Sequence, residues 1–369
     1  MGSIRVVIAD DSSLARGLLR AILEGEDGIE VVGEAANGRQ AVELVRALRP
    51  SLVTMDLEMP VMDGLEAIAD IMCTRAVPIL VVSSVADAHR ALDAVARGAL
   101  EVVAKPDTSP EAAAHLVSKV RLLAGVSVIT RLRPRTAALA GPAAPGAAAA
   151  PDAAARPAPV PVPAPADTPA AAGTAFPRVF AIASSTGGPQ ALAEILPALP
   201  PGFPCPVLVA QHISDGFAQG MADWLGSLCK LPVRLARDGD LLAPGTIHIA
   251  PSEQHLAVGA AQRLVLRARA PGDLYRPSCD VLLASVAAAF GARATGIILT
   301  GMGHDGAAGL AAIRAAGGST LAQDEASSVI FGMNRVAIER GAVQRVLPLS
   351  AMAAAMLDQV RGAAAGGAP

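Results

Sequence analysis

Ile4-Arg5-Val6-Val7-Ile8-Ala9-Asp10-Asp11, followed by the amphipathic stretch Ser13–Leu23, decides the fold class. A short apolar run that ends in polar residues and gives way to helical periodicity is one βα unit. The unit recurs through the first 124 residues. Apolar runs at Ile29–Val32, Ser51–Met55, Ile79–Val82 and Val102–Ala104 alternate with amphipathic stretches at Gly38–Ala47, Gly64–Cys73 and Asp87–Arg97, and His115–Leu123 closes the series. This rhythm predicts an α/β domain with a parallel sheet covered on both faces. From Pro134 to Pro177 the chain is almost wholly Ala, Pro and Gly, without apolar periodicity. Pro159-Val160-Pro161-Val162-Pro163 favours extended polyproline geometry. Residues 125–177 read as a semi-rigid linker.

The βα rhythm resumes at Val179–Ala183 and continues through Val207–Ala210, Thr246–Ala250, Thr295–Thr300 and Ser319–Ala322. Helical patterns lie at Pro189–Leu199, Phe217–Leu228, Val281–Phe290 and Ala307–Ala316. Leu256–Val258 and Leu264–Leu266 are expected to form a hairpin attached to this second sheet. The expected organisation is a domain over 1–124, the linker, and a second domain over 178–365, each large enough to bury its own core.

Composition narrows the function. The 369 residues carry a net charge of −3, which gives no electrostatic case for nucleic acid or an anionic membrane surface. Aromatic residues make up 2%, too few for base-stacking platforms. No stretch is apolar enough to span a bilayer. The segment Met1-Gly2-Ser3-Ile4-Arg5-Val6 suggests neither a signal peptide nor myristoylation. Cys73, Cys205, Cys229 and Cys279 have no close spacing and read as reduced thiols of a cytoplasmic protein.

Open α/β sheets place their chemistry at the carboxyl ends of strands, and two groups of residues occupy such addresses. The first is Asp10, Asp11, Asp56, Ser83 and Lys105. Clustered carboxylates repel unless a divalent cation with oxygen ligands lies among them, and Mg²⁺ is the natural candidate. Asp56 is central enough to accept a phosphoryl group, with Mg²⁺ and Lys105 neutralising its charge and the Ser83 hydroxyl bonding a phosphate oxygen. Singly, each has an ordinary reading: Asp10 or Asp11 as a helix cap, Ser83 likewise, Lys105 as a solvated strand end. The combination carries the argument.

The second group is Ser185, His212 and Asp305. Ser185 lies between an apolar run and Gly187-Gly188-Pro189, where small residues permit a sharp turn and proline suits the first helical turn. A helix cap is the ordinary alternative. A phosphate-binding loop is a rival, but neither the Lys-Ser/Thr ending nor the Gly-x-Gly-x-x-Gly spacing is present. A nucleophilic serine needs a base. Among the histidines, His89 and His115 fall in the first half. His248 lies within a strand, His255 is expected in solvent before the hairpin, and His304 adjoins Asp305. His212 alone shares the strand-end address of Ser185. Asp305, on the glycine-rich turn Gly301-Met302-Gly303-His304-Asp305-Gly306, is the candidate to orient it, ahead of Asp280 and Asp324.

Ile8-Ala9-Asp10-Asp11, Met55-Asp56-Leu57-Glu58-Met59-Pro60-Val61-Met62-Asp63-Gly64, Val82-Ser83-Ser84 and Ala104-Lys105-Pro106 together resemble a response-regulator receiver domain. The resemblance implies a flavodoxin-like fold, Asp56 as phospho-acceptor, and Mg²⁺ held by Asp11, Asp56 and the Glu58 backbone carbonyl. Val102 stands where receivers often carry an aromatic switch residue. The second half, through Ala181–Pro189, Ala210-Gln211-His212, Leu299–Gly309, Gln323-Asp324-Glu325 and Phe331-Gly332-Met333, resembles the chemotaxis methylesterase (CheB) catalytic domain. Ala183-Ser184 replaces the usual Gly-Ala before the nucleophile, and His304 replaces a usual Asn. This resemblance implies a Rossmann-like fold, the triad Ser185–His212–Asp305 without a cofactor, and Thr186 with the Met302 backbone N–H at the substrate or oxyanion. It further implies phosphorylation-activated demethylation of glutamate methyl esters on chemoreceptors, glutamine deamidation, a histidine kinase as phosphodonor, and recruitment to membrane receptor arrays without membrane insertion. The rivals are a catalytically dead binding module, a DNA-binding response regulator, and a hydrolase for another protein ester or amide.

Overall fold

The computed structural model describes residues 3–126, 128, 176–270 and 273–365. The expected linker lies almost wholly outside them. The first half forms β1 (Ile4–Ala9), α1 (Ser13–Glu24), β2 (Ile29–Ala35), α2 (Gly38–Leu48), β3 (Leu52–Met55), α3 (Gly64–Thr74), β4 (Ile79–Ser83), α4 (Ala88–Arg97), β5 (Glu101–Ala104) and α5 (Pro110–Leu123). Its five strands are parallel in the order β2-β1-β3-β4-β5. The order reverses between β1 and β3, so Asp10, Asp11 and Asp56 follow the two strands flanking the switch point. Side-chain caps start the helices: Ser12 bonds Ala15 N–H, Asn37 bonds Gln40 N–H, and Asp63 bonds Glu66 N–H.

The second half forms β6 (Val179–Ser184), α6 (Gly188–Ile195), β7 (Val207–Gln211), α7 (Ala218–Leu228), β8 (Val233–Leu235), β9 (Ile247–Ile249), β10 (Gln254–Val258) and β11 (Leu264–Ala268). It continues through α8 (Cys279–Phe290), β12 (Ala294–Ile298), α9 (Ala307–Ala315), β13 (Ser319–Gln323), α10 (Met333–Glu339), β14 (Arg345–Leu347) and α11 (Leu349–Ala365). Seven parallel strands run β14-β13-β12-β6-β7-β9-β8. Both faces are covered, which is why the central strands are buried at every position rather than at alternate ones. The fold is therefore the expected pair of parallel-sheet α/β units. The hairpin differs from expectation: β10 and β11 pair antiparallel as a separate two-stranded sheet. Its outward-facing N–H groups bond outside the pair, Leu264 to the Asp240 carbonyl, Leu266 to Asp238 and Val258 to Ser285 Oγ of α8, which packs on it.

The two halves touch along α4 and β5. Phe217, just before α7, is fully buried in the apolar cluster of the first half, and Leu92 of α4 is buried in a cluster of the second. A Cβ on Gly220 would lie 2.6 Å from Ala88 Cβ, so the absence of a side chain there lets α4 and α7 approach closely. Gln190 donates to the Ala99 carbonyl at 2.7 Å.

Phe180 in β6 is fully buried against Phe203, with ring centroids 5.6 Å apart. Phe180→Ala is expected to cost the second half about 3–5 kcal/mol, read as a lower urea midpoint at unchanged slope.

Candidate functional site

Register brings the second group together. β6 and β7 pair Ser184 with Gln211, so the next residues on each strand, Ser185 and His212, emerge side by side at the carboxyl end of the sheet. Neighbouring strands lie about 5 Å apart. His212 N–H donates to the Ser184 carbonyl at 3.0 Å, and Ser185 N–H donates to the Thr300 carbonyl at 3.0 Å. Buried Gln211 braces the pair. Its amide nitrogen donates to both the Ser185 and His212 carbonyls at 2.8 Å, and its Oε1 accepts from Ser184 Oγ at 2.6 Å. A Cβ on Gly188 would stand 1.9 Å from that Oε1, so glycine is required beside the brace. Sequence reasoning gave Gln211 no role; its signal was a fully polar side chain at the end of a buried strand.

Asp305, 2% exposed, faces the same end of the sheet. Its Oδ2 lies 2.8 Å from His212 Nε2. It also accepts from Cys279 N–H at 2.6 Å, Asp280 N–H at 2.9 Å and Ser278 Oγ at 3.1 Å. These donors form the start of α8, where the helix dipole also favours an anion. Burial pushes the Asp305 carboxyl up, but His212 and the two N–H donors outweigh it and hold it below its ordinary 3.8. Its contribution to stability is thus fully present above pH 3.8 and is lost as acid carries pH down through the folded value. An ionised Asp305 fixes the proton on Nε2 and leaves Nδ1 of His212 as the nitrogen with a free lone pair. Ser185 and His212 line one cleft, with no hydrogen bond between their side chains among the described residues. Such bonds are often long without substrate.

A Cβ on Gly301 would meet Ser185 Cβ at 2.6 Å, which places the Gly301–Asp305 turn against the serine. Among the described residues, the Thr186 and Met302 backbone N–H groups have no acceptor, while the Met302 side chain is exposed. Asp280 instead accepts from Gly309 N–H and ties α8 to α9. Asp324 caps the turn at Ser327. His248 is buried in β9, and neither ring nitrogen has a partner among the described residues. His255 departs from expectation: it is buried, with Nε2 2.8 Å from Asp273 and Nδ1 accepting from Ser278 N–H. Asp273 and Ser278, from the segment before α8, close over the ring.

In the first group, Lys105 Nζ lies 2.8 Å from Asp10 and 2.9 Å from Asp56. Carboxylate oxygens of Asp10, Asp11 and Asp56 all lie within 4.8 Å of one another, Asp10 and Asp56 buried and Asp11 exposed. A cluster of three acids with one lysine fits a hard divalent cation with oxygen ligands. The Glu58 side chain pairs with Arg90 at 3.1 Å. Ser83 Oγ is buried without a partner among the described residues. Burial, then repulsion from Asp10, raise the Asp56 carboxyl against the opposing pull of Lys105 and Leu57 N–H. Burial lowers the Lys105 ammonium, but its bonds to Asp10 and Asp56 outweigh that and raise it.

The two groups are connected. Glu101, on β5 beside buried Val102, accepts from Thr186 Oγ1 at 2.6 Å and pairs with Lys119. Leu92, Val95, Leu100, Glu101 and Val102 line the cleft with Ser185 and His212. Sequence reading alone assigned Glu101 nothing, since an acidic residue opening a strand carries no local signature.

The CheB methylesterase family model matches residues 180–356, and the response regulator receiver domain model matches residues 6–117. The chain is 56% identical to protein-glutamate methylesterase/protein-glutamine glutaminase 3 of Paramagnetospirillum magneticum, over 100% of this chain and 99% of that one. It is 44% identical to protein-glutamate methylesterase/protein-glutamine glutaminase 2 of Anaeromyxobacter dehalogenans, over 97% of each. The solved CheB methylesterase catalytic domain of Thermotoga maritima is 35% identical, with a TM-score of 0.47, covering 50% of this chain and 97% of that one.

Because the Asp56 carboxyl is raised, its ionisation opposes folding: its contribution is present below pH 3.8 and lost as pH rises through the folded value. Asp56→Asn is therefore expected to raise the thermal midpoint of the first half at pH 7 in divalent-free buffer. The gap to wild type should close as the pH approaches 4, which calorimetry across that range checks.

Proposed function

The chain belongs to the CheB methylesterase family, with a response regulator receiver domain at its N-terminal end, and from that premise we propose a phosphorylation-activated serine hydrolase. It demethylates glutamate methyl esters on chemoreceptors, releasing methanol, and deamidates glutamine side chains at the same site. It works in the cytoplasm at membrane receptor arrays and takes its phosphoryl group from a chemotaxis histidine kinase. The observation that carries this reading is the shared strand-end address of Ser185 and His212, with the imidazole 2.8 Å from a buried, four-donor carboxylate.

In the mechanism, Ser185 Oγ attacks the γ-carbonyl carbon of the substrate as its proton passes to His212 Nδ1. Asp305 holds Nε2–H and stabilises the imidazolium. The oxyanion is received by the free Thr186 and Met302 N–H groups. Collapse breaks the bond to methoxide, which leaves as methanol with the proton from Nδ1. Water then gives its proton to Nδ1, attacks the acyl carbon, and Ser185 departs reprotonated, leaving glutamate. With a glutamine substrate the leaving group is ammonia.

Regulation rests on the contact between the halves. Asp56 is the phospho-acceptor, Asp11, Asp56 and the Glu58 carbonyl would hold Mg²⁺, and Lys105 and Ser83 bind phosphoryl oxygens. Held there, Mg²⁺ would supply charge neutralisation for an incoming phosphoryl group. The unphosphorylated receiver covers the cleft and ties Thr186 to Glu101. A phosphoryl group on Asp56 adds charge that draws Lys105 and Ser83 toward it and biases β4 and β5 away from this docked arrangement.

Ser185→Ala should reduce methanol release from methylated receptor membranes to background, about 10³-fold or more below wild type. Full activity in that variant would remove the hydrolase reading. Glu101→Ala should raise unphosphorylated activity several-fold and narrow the ratio between assays with and without phosphodonor. Deleting residues 1–134 should do the same, and an unchanged basal rate in both would remove occlusion.

A further inference from the structure

The reacting imidazole has a neighbour that the proposed mechanism does not use. Tyr275, the chain's one tyrosine, lies on the His212 ring with centroids 5.1 Å apart and planes 15° from parallel. His304 meets the same tyrosine edge-on at 5.3 Å and 84°. The tyrosine is thus held between two histidines, one stacked and one perpendicular, both favourable aromatic geometries. Gly303 makes room for it: a Cβ there would stand 2.6 Å from the Tyr275 hydroxyl.

The segment carrying Tyr275 is closed by a second histidine–aspartate pair. His255 of β10 holds Asp273 through Nε2 at 2.8 Å and accepts from Ser278 N–H through Nδ1 at 2.9 Å. One buried ring therefore grips the chain on both sides of Tyr275. Ala270 N–H adds a bond to Asp273 at 2.7 Å, and Ser278 Oγ bonds Asp305. The strap is consequently tied to the same carboxylate that holds His212. A half-buried side chain on a loop would ordinarily be free to rotate; this one is held between His212 and His304.

We propose that Tyr275 is a positioning residue for the base, its face stacked on His212 to restrict rotation of the imidazole and to favour the imidazolium formed as Ser185 attacks. The inference rests on the reading of His212 as the base. An aromatic face attracts a cation more than a neutral ring, so the stack strengthens between ground state and transition state. An interaction of that kind appears in kcat rather than in KM. Asp305 constrains one ring nitrogen, and Tyr275 constrains the plane. The two constraints are independent, since a hydrogen bond at Nε2 alone leaves the ring free to swing about it.

The test uses the full chain with Mg²⁺, a small-molecule phosphodonor and methylated receptor membranes. Tyr275→Leu is expected to lower kcat about five- to tenfold with KM within about twofold of wild type. Tyr275→Phe, which keeps the face and loses the hydroxyl, should restore kcat to within about twofold. With ring-¹³C-labelled histidine, the His212 proton resonance should move downfield in Tyr275→Leu, where the aromatic shielding is lost, and stay in place in Tyr275→Phe. A raised KM at unchanged kcat would overturn the proposal and make Tyr275 a wall of the substrate site. Equal loss in the Phe and Leu variants would overturn it in favour of the hydroxyl. Ser185→Ala runs alongside. Full activity in that variant fails the hydrolase reading itself, whereas loss there with unchanged kcat in Tyr275→Leu fails this proposal alone.

Discussion

The Asp305 carboxylate is the constraint on which the rest of the second half turns. It is nearly inaccessible to water and remains an anion because four donors converge on it: His212, Ser278 and the first two N–H groups of α8. Removing solvent from a charge is expensive, and charge-assisted hydrogen bonds at a helix N-terminus offset that cost. The consequences spread outward. The anion selects the His212 tautomer, fixes the angle at which α8 meets the end of the sheet, and through Ser278 anchors the strap that lays Tyr275 on the imidazole. A neutral side chain of the same shape would keep the packing and lose the proton order.

Around that anchor, the site is built by backbone register rather than by long side chains. Ser185 and His212 follow a paired position on adjacent parallel strands, and Gln211 bonds both of their carbonyls. The Gly301–Asp305 turn follows β12, on the other side of β6. Three consecutive strands of one sheet thus deliver three functional groups to one rim. This is the general advantage of the switch point in an open sheet, where the diverging crossovers leave a crevice.

The boundary between the halves combines two kinds of contact. Phe217 and Leu92 each lie in the core of the opposite half, which gives the docked arrangement its apolar anchor. The polar contacts, Thr186 with Glu101 and Gln190 with Ala99, fall close to Ser185. Across the first sheet, Asp56 is held in an environment that disfavours its charge, with Lys105 shared between it and Asp10. A site whose carboxylate is under-compensated is one whose electrostatics change most when another charged group arrives. Arg90 of α4 reaches Glu58 and Asp63 in the loop after β3, so the helix that packs on α7 also touches the loop following Asp56.

The amino-acid sequence by itself determined the βα rhythm, the two parallel sheets and the strand-end address of Ser185, His212, Asp56 and Lys105. Those follow from local patterns: apolar runs, the turns that end them and the residues placed there. It left β8 and β14 illegible, because three-residue edge strands such as Val233–Leu235 and Arg345–Leu347 are partly exposed and need no apolar run. Alanine likewise blurred the amphipathic signal of α11. It put His255 in solvent, although Asp273 and Ser278 enclose that ring, and it gave Glu101 and Tyr275 no role. Only tertiary structure decided these, for one physical reason. Glu101 meets Thr186 across 85 positions, and Tyr275 meets His212 from a separate loop. Proximity between residues so distant in the chain is set by how packed elements close on one another, which no local pattern encodes.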